Sequence, residues 1–201
     1  MARPYTSQLR SEQAQATRLR ILEAAARVLS RPLADFSIPA VAEESGVAVA
    51  TIYRHFKSKP ELVDGLFRHY AEQIAAAAGV VLGETPTMPA SPDDLYPTFR
   101  SIFERQASLD PAFQAAFATE LGDQERRAHR EERIRLAESW LKSITSGMDA
   151  EDRRRLVDLE VVLTSSATRR SFDVLLGASP ARAADVVAWA IRRLALPSAD
   201  G

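Results

Sequence analysis

The stretch TIYRHFKSKPEL, residues 51–62, brings Tyr53, Arg54, His55 and Lys59 close together along the chain. A phenol, a guanidinium, an imidazole and an ammonium can all donate hydrogen bonds. Donors gathered this way suit an anion, and phosphate oxygens of a nucleic-acid backbone accept from such groups. Ser58 and Glu61 have the spacing of a capping box, which puts Lys59 at a helix N-terminus. There the helix macrodipole disfavours a cation by roughly 0.3–1 kcal/mol. A phosphate reverses that sign, because it accepts from the free N–H groups and the ammonium together. Taken singly, the residues have plainer readings: Tyr53 can half-fill a core edge, and Lys59 can simply be solvated.

The elements that would carry this chemistry are helical. Leu22, Ala25, Ala26 and Leu29 fall on one face of a first helix over about 11–31, ended by Pro32. Ser37 can cap a short second helix, with Pro39 in its first turn and Gly46 closing it. A short third helix then runs to Phe56. Short helix, glycine-containing turn and short helix over 38–56 is helix-turn-helix spacing. On the third helix Ile52 and Phe56 share one face, while Ala50, Thr51 and Arg54 point the other way. Small residues outward let a helix approach base edges in the major groove.

Further along, Ser91-Pro92-Asp93-Asp94, after the loop GETPTMPA, and Asp110-Pro111 read as capped helix starts. Gly122-Asp123, Gly147 with Asp149, and Gly177-Ala178-Ser179-Pro180 read as glycine stops followed by new caps. The pattern predicts an all-α chain of about nine helices, with two long segments at about 123–146 and 150–176. No internal repeat or low-complexity tract interrupts it.

Net charge is −1, but it is unevenly placed: residues 1–60 hold nine Lys and Arg against five Asp and Glu, while residues 61–201 hold 17 against 22. A basic head on an acidic body is a weak sign that only the head meets a polyanion. The chain has no cysteine, which excludes disulfides and thiol chemistry. No apolar run is long enough to span a bilayer and the start MARPYTSQLR is polar, so a cytoplasmic protein without membrane association is expected.

Catalytic anchors are lacking. His55, His69 and His129 are scattered outside any metal-ligand spacing, and no nucleophile elbow, Walker loop or dinucleotide fingerprint occurs. No metal, cofactor or enzymatic activity is therefore expected. QERRAHREERIR, 124–135, reads as a solvated helix face. The alternative to a DNA-binding protein is a helical small-molecule-binding protein that does not touch DNA. Such a protein would have no use for Tyr53, His55 and Lys59 together.

ILEAAARVL (21–29) and SIPAVAEESGVAVATIYRHFKSKPEL (37–62) resemble the TetR/AcrR family of transcriptional regulators, over about residues 18–66. SPARAADVVAWAIRRL is similar in style to the family's final dimerisation helix. The resemblance implies a three-helix DNA-binding domain over 1–58. It implies a ligand-binding and dimerisation domain over 59–201. The implied function is a homodimeric repressor that binds a palindromic double-stranded DNA operator and leaves it when a small effector binds. Carried over by position, Val49, Ala50 and Tyr53 meet base edges, and Thr51, His55 and Lys59 grip phosphates. With Ser37 and Arg54 these make the candidate DNA-binding set. Three departures stand out: Ala48 replaces the usual capping Ser or Thr, Pro32-Leu33 replaces a glycine, and Pro39-Ala40 replace polar readers.

Large apolar residues are plentiful in the remainder: Phe67, Tyr70, Phe99, Phe103, Phe113, Phe117, Trp140 and Phe172. Phe99–Phe103 and Phe113–Phe117 are i, i+4 pairs, stripes that serve equally as core or as a ligand box. The family resemblance favours a cavity lined by these eight. Because the acids cluster at helix starts, few buried charges are expected, and the effector should be largely apolar, neutral or weakly cationic. Ala184, Val187, Ala188 and Ile191, on the last helix, are the expected dimer contacts.

Overall fold

The computed structural model describes residues 4–31, 35–79 and 91–195, with side chains from Leu9 onward. Among these residues there are eleven α-helices, one 3-10 turn and no strand. The all-α expectation holds. The loop GETPTMPA, Pro32-Leu33 and the final Pro197 lie outside the described residues.

α1 (Pro4–Leu29) begins earlier than the apolar stripe indicates, since nothing between Tyr5 and Arg10 breaks a helix. Its Ile21, Leu22, Ala25 and Leu29 are buried, as the spacing requires. α2 (Ile38–Ser45) is capped by Ser37, whose Oγ accepts from the Ala40 N–H at 3.3 Å. Gly46 closes it in the left-handed region, φ 66°, which a side chain would disfavour. α3 (Val49–His55) starts from Ala48 without a side-chain cap. α4 (Lys59–Ala77) follows.

The described chain forms two compact units. One holds the chain up to Tyr70 together with Asp110–Glu125; the other holds Ala71–Leu109 and the chain from Arg126. The core of the first is built from α1, Ile38 and Val41 of α2, Ile52 and Phe56, the first turns of α4, and α6 (Pro111–Phe117). Gly65 is where α4 meets Phe56. A Cβ there would stand 2.7 Å from the Phe56 ring and 3.3 Å from the Arg18 guanidinium. That guanidinium lies 4.9 Å above the ring centroid.

The second unit's core joins α5 (Leu95–Ser108), α8 (Arg130–Leu141), α9 (Ala150–Leu163) and α11 (Pro180–Ala195). Eleven helices replace nine because both long segments break. The segment near 123–146 becomes α7 (Glu120–Ala128) and α8, parted at His129, whose φ −99° and ψ 18° leave the helix. The segment at 150–176 becomes α9 and α10 (Ser166–Leu176). Ser165 takes extended backbone there and caps α10, its Oγ accepting from the Thr168 N–H at 3.2 Å. Gly122 is not a helix stop. It lies inside α7, where a Cβ would come within 2.6 Å of the Phe117 carbonyl, so the tight α6–α7 turn needs it. Gly147 likewise lacks the left-handed backbone expected of it.

Candidate nucleic-acid interface

α3 turns Ile52 and Phe56 into the core and leaves Val49, Ala50, Tyr53 and Arg54 exposed, with Thr51 and His55 half-buried. The predicted faces are therefore the observed ones. The apolar side anchors the helix, and the outward side combines small residues with a phenol and a guanidinium. α2 is fixed to α1 by Glu44, which accepts from Arg27 Nε at 2.8 Å and from Arg31 Nη2 at 2.5 Å. These two hydrogen bonds hold the Glu44 carboxyl below its ordinary range.

The start of α4 differs in detail from a reciprocal capping box. Ser58 Oγ accepts from the Glu61 N–H at 3.2 Å, but the Glu61 carboxylate takes the Lys57 N–H, at 2.8 Å, and not that of Ser58. Lys59 is not free in solvent either. Its Nζ donates to the Phe36 carbonyl at 2.6 Å and lies 4.8 Å from the Phe36 ring centroid. Two of its three protons remain for another acceptor. The contact ties Lys59 to the residue just before Ser37, so the starts of α2 and α4 are held together. Nothing in the sequence signals this use of Phe36.

His55 is pushed below its ordinary pKa, first by burial and then by the charges of Arg54 and Arg18. It is a neutral imidazole at neutral pH, able to donate one hydrogen bond but carrying no charge.

The eight aromatics proposed for one lining are divided between two cores. Phe67, Tyr70, Phe113 and Phe117 belong to the first unit, where Phe117 lies 4.3 Å from Phe67 and 3.8 Å from Tyr70, ring centre to ring centre. Phe99, Phe103, Trp140 and Phe172 belong to the second, with Phe99 5.0 Å from Trp140. The expectation of few buried charges needs correcting, because Glu160 and Arg169 are each only 9% exposed, beside buried Gln106 and Thr145. Burial pushes the Glu160 carboxyl up to about 7, with only the Thr164 hydroxyl acting against it.

The expected dimer contacts also need correcting. Ala184, Val187, Ala188 and Ile191 are 0%, 1%, 7% and 0% exposed, packed in the core of their own chain, where α11 lies along α5. A stripe of small apolar residues reads the same whether its partner is intramolecular or not. The apolar residues left in solvent are elsewhere: Val174, Leu175 and Leu176 on α10, and Val186, Trp189 and Leu194 on α11.

Residues 21–66 match the tetR family of bacterial regulatory proteins. Residues 21–66 are thus similar to the amino-terminal domain of that family. The matched span covers α2 and α3, the buried half of α1 and the α4 start that holds Lys59. The fold as a whole is similar to a TetR-like transcriptional regulator from Rhodococcus sp. RHA1, at 18% identity and a TM-score of 0.66, over 88% of this chain and 94% of that one. It is also similar to the multidrug binding protein EbrR, solved with imidazole, at 22% identity and a TM-score of 0.55, over 92% and 98%. This chain carries a TetR-like fold.

Proposed function

We propose that the protein is a transcriptional repressor that binds a palindromic operator as a homodimer and is released by a small-molecule effector. The observation that carries this reading is α3, anchored by Ile52 and Phe56, with Ala50 beside the Tyr53 phenol and the Arg54 guanidinium on its outer face. Val49, Ala50 and Tyr53 meet base edges; Thr51, His55 and Lys59 grip phosphates. Arg54 reaches a guanine or a phosphate, and Ser37 sets the start of α2 beside them. The functional division falls at Ser58, with the head 1–58 followed by an effector and dimerisation domain. α4 up to Tyr70 and residues Asp110–Glu125 nevertheless pack with the head. That EbrR, of similar fold, was solved with imidazole supports a place for a small molecule in such a fold.

Among the described residues no single helix is long and apolar enough to cross a membrane. A cytoplasmic site of action, without membrane or catalytic role, fits the reading. The exposed apolar residues of α10 and α11 supply the dimer face.

Selection of operators from random duplex DNA, followed by fluorescence anisotropy, tests the proposal. Lys59→Ala should weaken every sequence alike and lower the salt slope by about one unit. Tyr53→Ala should weaken the selected operator by about 1–3 kcal/mol and relax the preference at one position. A protein that enriches no sequence is instead the helical small-molecule binder.

A further inference from the structure

In the second unit, Gln106 on α5 is 4% exposed and Glu160 on α9 is 9% exposed. Both meet the last turn of α9 at Thr164. Gln106 Nε2 donates to the Thr164 carbonyl at 3.1 Å. A carbonyl requires the amide's NH2 end, so the orientation of the amide is fixed. Its Oε1 is then the inward end, and it has no hydrogen-bond partner. Glu160 has the Thr164 side chain as its hydrogen-bonding neighbour. No cation among the described residues pairs with it. On the elements packed against α9, the charged residues that are not fully exposed are half-buried Glu132 and Arg133 on α8 and buried Arg169 on α10; those on α11 are exposed. Arg105, half-buried on α5, is bonded to Gln73.

The Gln106 Oε1 is a buried acceptor without a donor and the Glu160 carboxyl has only the Thr164 hydroxyl beside it, an arrangement that is costly unless something completes it. We infer that Glu160 and Gln106 are the recognition point of the effector site, and that the effector is a nitrogen cation, an amidinium or protonated amine, on an aromatic body. This rests on the repressor reading above and gives its effector a chemical class. An amidinium offers parallel N–H donors to both acceptors and a charge to the carboxylate. Phe103, one turn before Gln106, and half-buried Phe172 on α10 belong to the same core and offer ring faces suited to a flat cation. Entry of the cation drives the proton from Glu160, so binding is linked to pH.

The test uses the full-length protein with benzamidine and its uncharged counterpart benzamide, titrated calorimetrically at pH 6, 7 and 8. Benzamidine stays charged throughout. It should bind at least tenfold tighter than benzamide, and tighten about fivefold from pH 6 to 7 and about tenfold in all by pH 8, where it levels off. Glu160→Gln should remove both the preference and the pH dependence. That variant should fold: a carboxyl raised by burial favours the folded state below the unfolded pKa and loses that support as pH rises to about 7. At pH 8 Glu160→Gln should therefore melt above the wild type. If Glu160→Gln nonetheless fails to fold, the wild-type comparison of benzamidine with benzamide across pH decides. Equal binding of the two probes, binding of neither, or a flat pH profile overturns the inference. Operator anisotropy run in parallel separates the two readings. PH-linked benzamidine binding without operator binding sinks the repressor and keeps the site. Operator release by uncharged compounds, with benzamidine inert, does the reverse.

Discussion

At the scale of single residues, the candidate interface depends on groups whose charge state is set by neighbours. His55 is held neutral by burial and by Arg54 and Arg18. A phosphate placed against it would oppose all three and favour the imidazolium. Operator binding should then take up a proton, and affinity should rise as pH falls from 7.5 to 6. His55→Gln, which keeps a donor but cannot titrate, should flatten the profile. A wild-type profile already flat over that range would remove His55 from the phosphate contacts. This residue was legible in the sequence as a donor beside an aromatic and a lysine, but its protonation state was not. That depends first on burial, then on Arg54, and also on Arg18, which lies far from it in the chain. The hold of Phe36 on Lys59 was hidden for the same reason. Backbone carbonyls have no sequence signature, and an ammonium accepts any of them.

At the scale of elements, local punctuation was legible and long-range choice was not. Ser37, Gly46, Asp110, Asp149 and Gly177 act where their own chemistry puts them, because a cap or a left-handed turn is settled within a few residues. The breaks at His129 and Thr164 have no proline or glycine to announce them. Gly65 is the case where packing overrides propensity. In an open helix, Gly→Ala is worth about 1 kcal/mol in favour of alanine. Here the new methyl would meet the Phe56 ring at 2.7 Å, and Phe56 is 1% exposed. Overpacking of this kind costs roughly 1–3 kcal/mol, so the net effect of Gly65→Ala should be a loss. The melting temperature should fall by a few degrees, about 2–4 °C for each kcal/mol. Operator affinity should fall with it, since Phe56 ends α3. A variant that melts higher than wild type would mean that the ring yields freely and that Gly65 has no part in setting the helix.

At the scale of the whole molecule, the question is which surface joins two copies. The amphipathic stripe of α11 was legible, but a buried stripe only says that a partner exists, and here that partner is α5 of the same chain. What the chain cannot cover by itself is the informative part. Leu175 is 76% exposed, Val174 69%, Trp189 63% and Leu176 60%, values that a monomer's core packing does not explain. Single exposed apolar residues are ordinary, but a cluster on two consecutive helices that includes a tryptophan fits an interface. Large aromatics carry a disproportionate share of association energy when they become buried between subunits. The two faces of α11 therefore give opposite expectations. Trp189→Glu should leave the subunit folded, with a melting curve as cooperative as wild type, and should produce monomers in light scattering behind a sizing column. Operator affinity should collapse with it, because two heads must be held about 34–36 Å apart to read a palindrome. Ala188→Glu, one residue away but 7% exposed, should lower the melting temperature and unfold part of the population, since it buries an unpaired charge. A Trp189→Glu protein that remains dimeric, or a wild type that is monomeric at micromolar concentration, would move the interface off these helices.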